Sequence, residues 1–372
     1  MSSRDAPARE IVQVSAGLDA TGGGTAVVAR LLARATAELA AERGLAFRVL
    51  ALSARQPPAD LAVEEFGGSQ RALARAIWRS QLRRRRPQTA ALVFDFLGPA
   101  RAQALLPGRA RRPYLLFLHG IEVWRRLSWD RRKAIREAAV VVANSQATRR
   151  LAAPFHGRDD VAVLPLALEE RAAEGAVDAA LLARLGAGFV LIVGRMAASE
   201  RYKGHDEVLL ALAELADVAA RLVVVGDGDD RGRLEARAAA LGLGGRAEFT
   251  GRVSEATLAE IYARAAAFAM PSTGEGFGLV YLEAMRAGRP CIAVRGGAAE
   301  EVVVDGETGL LVAAGSVAEL AGALRRLLTD APLARRLGTA GQRREREQFS
   351  AAAFGRRCRG HLENLMLRAE AL

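Results

Sequence analysis

The sequence predicts an α/β protein built from two doubly wound, parallel-sheet domains. Short apolar runs alternate with longer helical patterns almost from end to end, the signature of repeated strand–helix units. The runs are continuously apolar rather than alternating, as in strands covered on both faces. At 372 residues the chain is about twice the length of a typical domain.

Taken in order, the predicted strands of the first half are IVQVSA (11–16), FRVLAL (47–52), ALVFDF (91–96), YLLFLH (114–119) and VVVANS (140–145), with a further strand near VAVLPLAL (161–168). Those of the second half are FVLIVG (189–194), RLVVVG (221–226), AEFTG (247–251), AAFAMPS (266–272), PCIAV (290–294) and GLLVA (309–313). Helical patterns fill 25–43, 128–138, 204–216, 230–241, 255–265, 279–286, 316–328 and 332–346. Two series of five or six strands suit two sheets, with the break where EERAAEGAVD turns polar after residue 168. The expected domains are 1–167 and 168–348, followed by a C-terminal helix, 349–372, with no strand after it and expected to pack back on the first domain. In such sheets ligands bind beyond the carboxyl ends of the strands, so the two domains are expected to face a cleft there.

Composition narrows the function. No apolar run reaches the roughly 20 residues that span a bilayer, and MSSRDAPARE lacks the apolar stretch of a signal peptide, so cytoplasm is the expected compartment. The two cysteines, Cys291 and Cys358, have no metal-binding spacing. Net charge is +11, nearly all from arginine, with clusters at Arg83–Arg86, Arg109–Arg112 and Arg125–Arg136. A nucleic-acid surface would interleave aromatic platforms with those cations, and aromatics make up only 5%. A peripheral contact with anionic membrane is the better functional reading of the basic first half, set against a plainly solvated arginine face.

Six motifs fall at strand ends. TGGGTAVVARLL (21–32) places glycines where backbone can approach a ligand, with Thr25 expected to cap the next helix. It is not the dinucleotide fingerprint. FLHGIEVW (117–124) ends a strand on His119, which can hydrogen-bond a hydroxyl and titrate near neutrality. VGRMAASERYKGHD (193–206) sets Arg195 after a strand and Lys203 before a helix, a pair suited to a diphosphate. The lysine stands out because Lys133 is the only other one. VVVGDGDD (223–230) reads as a structural turn, and FTGRVS (249–254) leaves Arg252 and Val253 at a strand end, where backbone could meet a base edge. In GEGFGLVYLEAM (274–285), a glycine-rich loop carrying Glu275 opens into a helix carrying Glu283. Such a helix start is a seat for phosphate. Carboxylates on either side of it suit hydroxyl-bearing rings, and a phosphate between such rings is the outline of a nucleotide sugar.

These motifs, with GGAAEEVVVDGETGLLV (296–312) after them, resemble in order and spacing the family-4 retaining glycosyltransferases, densely in the second half and more loosely in the first. The His-Gly-x-Glu-x-Trp variant is similar to members that build bacterial exopolysaccharide, lipopolysaccharide or glycolipid. The resemblance implies the GT-B fold, an acceptor-binding first domain and a nucleotide-sugar-binding second one. It implies that Arg195 and Lys203 hold the donor diphosphate, that the amides of Gly278, Leu279 and Val280 face its phosphate, and that Gly276 and Phe277 belong to the same donor loop. Glu275 would bind the transferred sugar, Glu283 the ribose, and Arg252 with Val253 would frame the base. His119 would contact the sugar near its sixth carbon, Gly23 and Gly24 would line the phosphate and acceptor side, and Glu122 and Trp124 are acceptor-side candidates.

The implied reaction moves a mannose- or glucose-type sugar from a nucleoside diphosphate sugar, GDP-mannose or UDP-glucose in type, to a hydroxyl of a glycan, glycolipid or lipid-linked acceptor, with retention. No DxD motif stands at the donor position, so no metal or other cofactor is expected. The linker often written Pro-Asn-Gly-Val in the family is here Leu164-Pro165-Leu166-Ala167-Leu168, which leaves the hinge geometry open. The competing readings are a catalytically silent nucleotide-sugar-binding protein, an epimerase and a phosphorylase. A pyridoxal-type phosphorylase needs a Schiff-base lysine, for which Lys133 and Lys203 are poor candidates.

Overall fold

In the computed structural model of the chain, residues 8–19, 23–82, 87–170 and 173–371 are described. The first residues of MSSRDAPARE, Thr21 and Gly22 of the glycine motif, and the Arg83–Arg86 cluster lie outside the described residues. The chain divides into two units: one runs to Glu169 and takes up the stretch from Ala351, and the other is Glu170–Ser350.

The first unit runs β1 (Arg9–Ser15), α1 (Gly24–Glu42), β2 (Ala46–Ala51), β3 (Val63–Glu65), α2 (Gln70–Leu82), β4 (Gln88–Phe94), α3 (Leu97–Ala100), β5 (Tyr114–Leu118), α4 (Trp129–Arg136), β6 (Val140–Ala143), α5 (Gln146–His156) and β7 (Ala162–Val163). Its strands form one parallel sheet in the order β3-β2-β1-β4-β5-β6-β7. The second unit runs α6 (Ala179–Leu185), β8 (Phe189–Val193), α7 (His205–Ala213), β9 (Leu222–Val225), α8 (Arg231–Ala240), β10 (Ala247–Gly251), α9 (Glu255–Arg264), β11 (Ala265–Ala269), α10 (Leu279–Arg286), β12 (Cys291–Val294), β13 (Gly309–Val312), α11 (Val317–Thr329) and α12 (Ala331–Gln348). Its sheet, also parallel, has the order β10-β9-β8-β11-β12-β13. Both orders reverse once, between β1 and β4 and between β8 and β11. Strand interiors such as Val12, Phe94, Leu116, Leu191 and Phe268 are buried, which is why the runs read as continuously apolar.

The first sheet has one strand more than the apolar runs suggest. β3 is an edge strand of three residues ending in two exposed glutamates, so it leaves no hydrophobic signature. The strand near 161–168 contracts to two residues. Leu164 still donates to the Ala143 carbonyl at 2.9 Å, but Pro165 has no N–H to continue the ladder. Thr25 does not cap α1: the cap position is Gly23, without a side-chain bond, and Thr25 sits inside the first turn.

The last helix, α13 (Ala351–Glu370), belongs to the first unit and packs on α1 and against β4, β5 and β6. Arg43 reaches Glu370 at 2.8 Å, Arg359 donates to Glu42 at 2.8 Å, and Arg9 donates to the Ala369 carbonyl at 3.3 Å. A buried ion pair joins α1 to the segment that follows β7. Arg30 Nε, on α1, donates to both oxygens of Glu169 at 3.0 and 2.9 Å, and Arg34 adds a bond at 3.2 Å. Arg30 also donates to the Asp19 carbonyl, so one guanidinium ties Asp19 to Glu169. With both side chains at most 3% exposed, loss of either partner would strand a buried charge. Among the described residues no helix is long and apolar enough to cross a membrane.

Candidate active site

In the second unit Arg195, Lys203 and the loop carrying Glu275 follow β8 and β11 at the strand-order reversal, the position at which open α/β sheets bind ligands, while Arg252 and Val253 follow β10, at the edge of the sheet. After β8 the chain passes Arg195 and enters a 3₁₀ segment, Ala198–Lys203, ended by Gly204 with φ +85°. A Cβ at Gly204 would lie 2.9 Å from the Pro271 carbonyl, so glycine is required for the chain to pass that closely to the exit of β11. The Tyr202 ring lies where a Cβ of Gly274 would stand, and Thr273 donates to the Tyr202 carbonyl at 2.9 Å. The segment ERYKG is therefore packed directly on PSTGEG. Tyr202 was not singled out in the sequence, and it is the part that joins the two motifs. Burial and the nearby carboxylates of Glu200 and Glu275 push its phenol up to about 12.

That packing brings Lys203 and Glu275 together. The lysine stem crosses Gly194, where a Cβ would stand 3.3 Å from its Cδ, and Nζ donates to Glu275 Oε1 at 3.2 Å. Ser272 Oγ lies 3.4 Å from the same oxygen. Arg195 does not join this pair directly. Its side chain, 72% exposed, is ion-paired with Glu200, whose other oxygen is 3.9 Å from Lys203 Nζ. Glu200 thus lies between the two cations that the sequence suggests as a diphosphate clamp. Its spacing of three from Lys203 and five from Arg195 was the available signal.

Gly278, at φ +95°, forms the cap of α10, and a Cβ there would strike the Tyr281 ring at 2.5 Å. Leu279 and Val280 then supply the first N–H groups of that helix. Gly276 lies in the loop ahead of it. The Phe277 side chain points away into the core, 5.9 Å edge-on from Phe349, so only its backbone is available to a ligand. Glu283 is half-buried and accepts a bond from the Tyr262 hydroxyl at 2.8 Å; burial holds its carboxyl above the usual range. Arg252 is exposed after Gly251 at the end of β10, with Val253 half-buried beside it.

The first unit holds a second group at strand ends. His119 follows β5, and its Nε2 lies 2.6 Å from the Asp95 carbonyl. A carbonyl only accepts, so Nε2 carries the proton, and in the neutral ring Nδ1 is an acceptor. Burial lowers the imidazole pKa, which keeps the ring neutral at neutral pH. Glu122 accepts the His119 N–H at 2.6 Å, so one oxygen of this acceptor-side candidate holds the turn. The Trp124 ring packs on the core, and its buried indole N–H has no partner among the described residues. Gly23 and Gly24 are exposed at the start of α1, and an added Cβ at Gly23 would meet nothing within 4 Å. Packing among the described residues therefore does not explain a glycine at 23.

Asp95, which sequence reasoning passed over, spans the β1/β4 reversal. It is 3% exposed, Oδ1 accepts the Ala16 N–H at 3.2 Å, and Oδ2 has no partner among the described residues. Burial pushes its carboxyl up to about 7. A carboxyl that ionises near pH 4 when unfolded but near 7 when folded stabilises the fold most below about pH 4, and that contribution is lost as pH rises to about 7. Asp95→Asn, which removes the titration, is therefore expected to gain melting temperature relative to the parent between about pH 5 and about pH 8. An equal gap between the two proteins at both pH values would contradict this assignment.

A family profile described as Glycosyl transferases group 1 matches residues 178–344. Over 269 residues the chain is 33% identical to the GDP-mannose-dependent alpha-(1-6)-phosphatidylinositol monomannoside mannosyltransferase of Mycolicibacterium smegmatis, covering 66% of this chain and 70% of that protein. It is 31% identical over 237 residues to the alpha-D-kanosaminyltransferase of Streptomyces kanamyceticus, covering 61% of each chain. Among solved structures, Anabaena HepE in complex with UDP and glucose superposes with a TM-score of 0.76 at 21% identity, over 95% of this chain and 99% of that one.

Proposed function

The chain belongs to the group 1 glycosyl transferases and has the GT-B fold, and from that premise we propose that it is a retaining hexosyltransferase acting without a metal. The second unit would bind the nucleoside diphosphate sugar and the first the acceptor. The observation that carries this reading is the Lys203–Glu275 pair at the β8/β11 reversal, beside the N-terminus of α10.

In this reading Lys203, the first amides of α10 and Arg195, swung off Glu200, take the diphosphate charge. Glu275, next to Lys203, accepts hydroxyls of the transferred sugar, Glu283 meets the ribose, and Arg252 with Val253 frames the base. His119 Nδ1 accepts a sugar hydroxyl, and Gly23 and Gly24 leave room for backbone to approach. The acceptor hydroxyl attacks the anomeric carbon on the face that the phosphate leaves. Its proton passes to a leaving phosphate oxygen as the carbon–oxygen bond to phosphate breaks. Positioning and stabilisation of the developing phosphate charge then supply the catalysis. A double-displacement route is less suited: it needs carboxyls about 5–5.5 Å apart flanking the bond, whereas Glu275 is bonded to Lys203 and Glu283 to Tyr262.

The donor named for the M. smegmatis relative, GDP-mannose, and the UDP seen with the Anabaena protein make both nucleotide classes candidates here. The test is thermal stabilisation by GDP, UDP and their sugar conjugates in the presence of EDTA. A true donor at 100 times its dissociation constant is expected to add about 2.7 kcal/mol. No shift with any of them would overturn the reading; a shift only after adding a divalent ion would overturn its metal-free part.

A further inference from the structure

The first unit contains a cavity of about 880 Å³ that none of the residues discussed above explains. Ala16, Leu52 and Phe96 line it, each just past the end of β1, β2 or β4, so it opens at the strand-order reversal of the first sheet. Its walls come from α2, from the segment 97–105 and from the start of α4.

The walls have two chemistries. Leu73, Ile77 and Trp78 on α2 make an apolar side, and Leu105 and Trp129 on the lining are 60% and 64% exposed. Exposed side chains of that size around one cavity are the mark of a binding surface. Apart from Gln70 and Trp129, the uncharged and acidic polar side chains there are already engaged. Trp78 Nε1 donates to the Ala102 carbonyl at 2.8 Å, and Asp130 accepts from both Ser128 and Arg101. A bare sugar chain would find Gln70, Trp129 and cationic donors there, with the one lining carboxylate, Asp130, already engaged. By contrast Arg71, Arg75 and Arg131 line the same cavity, and none has a side-chain ion pair among the described residues. Arg71 and Arg75, four apart on α2, share one helix face.

We propose that this cavity binds a lipid phosphate, with the hydrocarbon chain against the apolar wall and the phosphate on Arg71, Arg75 and Arg131. The proposal rests on the glycosyl-transfer reading in one respect: the bound lipid would carry the acceptor hydroxyl, at the same strand-end edge of the sheet as His119. Apolar burial supplies affinity and the guanidiniums select the anion. A single hydrocarbon chain by itself binds only marginally, so the two parts are expected to act together.

The test uses a ten-carbon isoprenoid phosphate, geranyl monophosphate, below its aggregation concentration, with geraniol and inorganic phosphate as half-ligands. Calorimetry on the full chain is expected to show binding of geranyl monophosphate and at least tenfold weaker binding of either half. The double variant Arg71→Ser/Arg75→Ser, on exposed positions, is expected to weaken binding tenfold or more. Ala74→Trp, which fills the cavity and keeps the arginines, is expected to do the same. Equal binding of inorganic phosphate, equal binding of geraniol, unaffected variants, or no binding of geranyl monophosphate to the parent would each overturn the proposal. Nucleotide stabilisation, followed in the same samples, separates the two readings. If it is absent while geranyl monophosphate still binds, glycosyl transfer falls and the lipid-phosphate site stands.

Discussion

Replacing Lys203 with alanine is expected to lower kcat/KM by about 10²–10³, roughly 2.7–4 kcal/mol, by comparison with loss of one oxyanion-hole donor. The ammonium stands at the end of a stem laid across Gly194 and is held by Glu275, so its position is set before any donor arrives. Charge that develops on a leaving diphosphate gains most from a cation that need not reorganise. The fold should keep most of its stability: the two side chains are still 16% and 17% exposed, so water can reach the carboxylate once the ammonium is gone, and Ser272 Oγ stays beside it. The expected result is a melting temperature near the parent's with turnover lost, measured by nucleotide release in the presence of acceptor. Unchanged turnover would remove Lys203 from the site. Lys203→Arg is expected to recover only part of the rate, because a planar fork cannot replace a compact charge on that stem.

Gly226→Ala is expected to produce the largest loss of stability, about 4 kcal/mol or more, in the range reached by few single substitutions. Gly226 has φ +135°, and a Cβ there would lie 2.0 Å from the carbonyl oxygen of Gly194. Both partners are backbone, so no rotamer change relieves the clash, and the ends of β8 and β9 must separate. For a domain of this size the melting temperature should fall by roughly 8–16 °C. Arg195 and Met196, which follow Gly194 directly, would move with it, so donor binding should fall as well. Gly232→Ala on α8 is the control. No atom lies within 4 Å of its added Cβ, and a gain of up to about 1 kcal/mol is expected. Similar melting temperatures for both variants would show that the strand ends yield more easily than this geometry implies.

The turn VGDGDD was read from sequence as structural, and its glycines show why. Gly226 abuts Gly194, and a Cβ at Gly228 would stand 2.1 Å from the Met196 carbonyl, so the turn presses on the segment that carries Arg195. The strands were readable because burial on both faces leaves few polar positions, such as Gln13 in β1, to interrupt the run. β3 was not readable, because an exposed edge strand of three residues carries no such pattern. The cap of α1 was misread because Thr25 is a residue type that caps helices, while the helix starts earlier, at Gly24.

The site divides in the same way. Lys203, Glu275 and the glycines around them were legible because each is unusual for its setting: a lysine in an arginine chain, an acid on a glycine loop. Tyr202, Glu200, Tyr262 and Asp95 were not, because their importance lies in what they touch. Tyr202 fills the space over Gly274, Glu200 stands between two cations, Tyr262 holds Glu283, and Asp95 crosses the strand reversal.

By itself, then, the sequence determined the two parallel sheets, the order of the motifs along them and the residue types at their strand ends. These follow from local rules: apolar periodicity, glycine's freedom at positive φ and the seat that a helix start offers an anion. Only the tertiary structure decided which of those residues meet. It paired Lys203 with Glu275 across 72 positions of chain and left Arg195 on Glu200. It also opened a cavity lined by three arginines that have no ion pair among the described residues, between helices distant in sequence. The physical reason is that contact between distant segments depends on how whole helices and strands pack, and no local pattern in the chain encodes that distance.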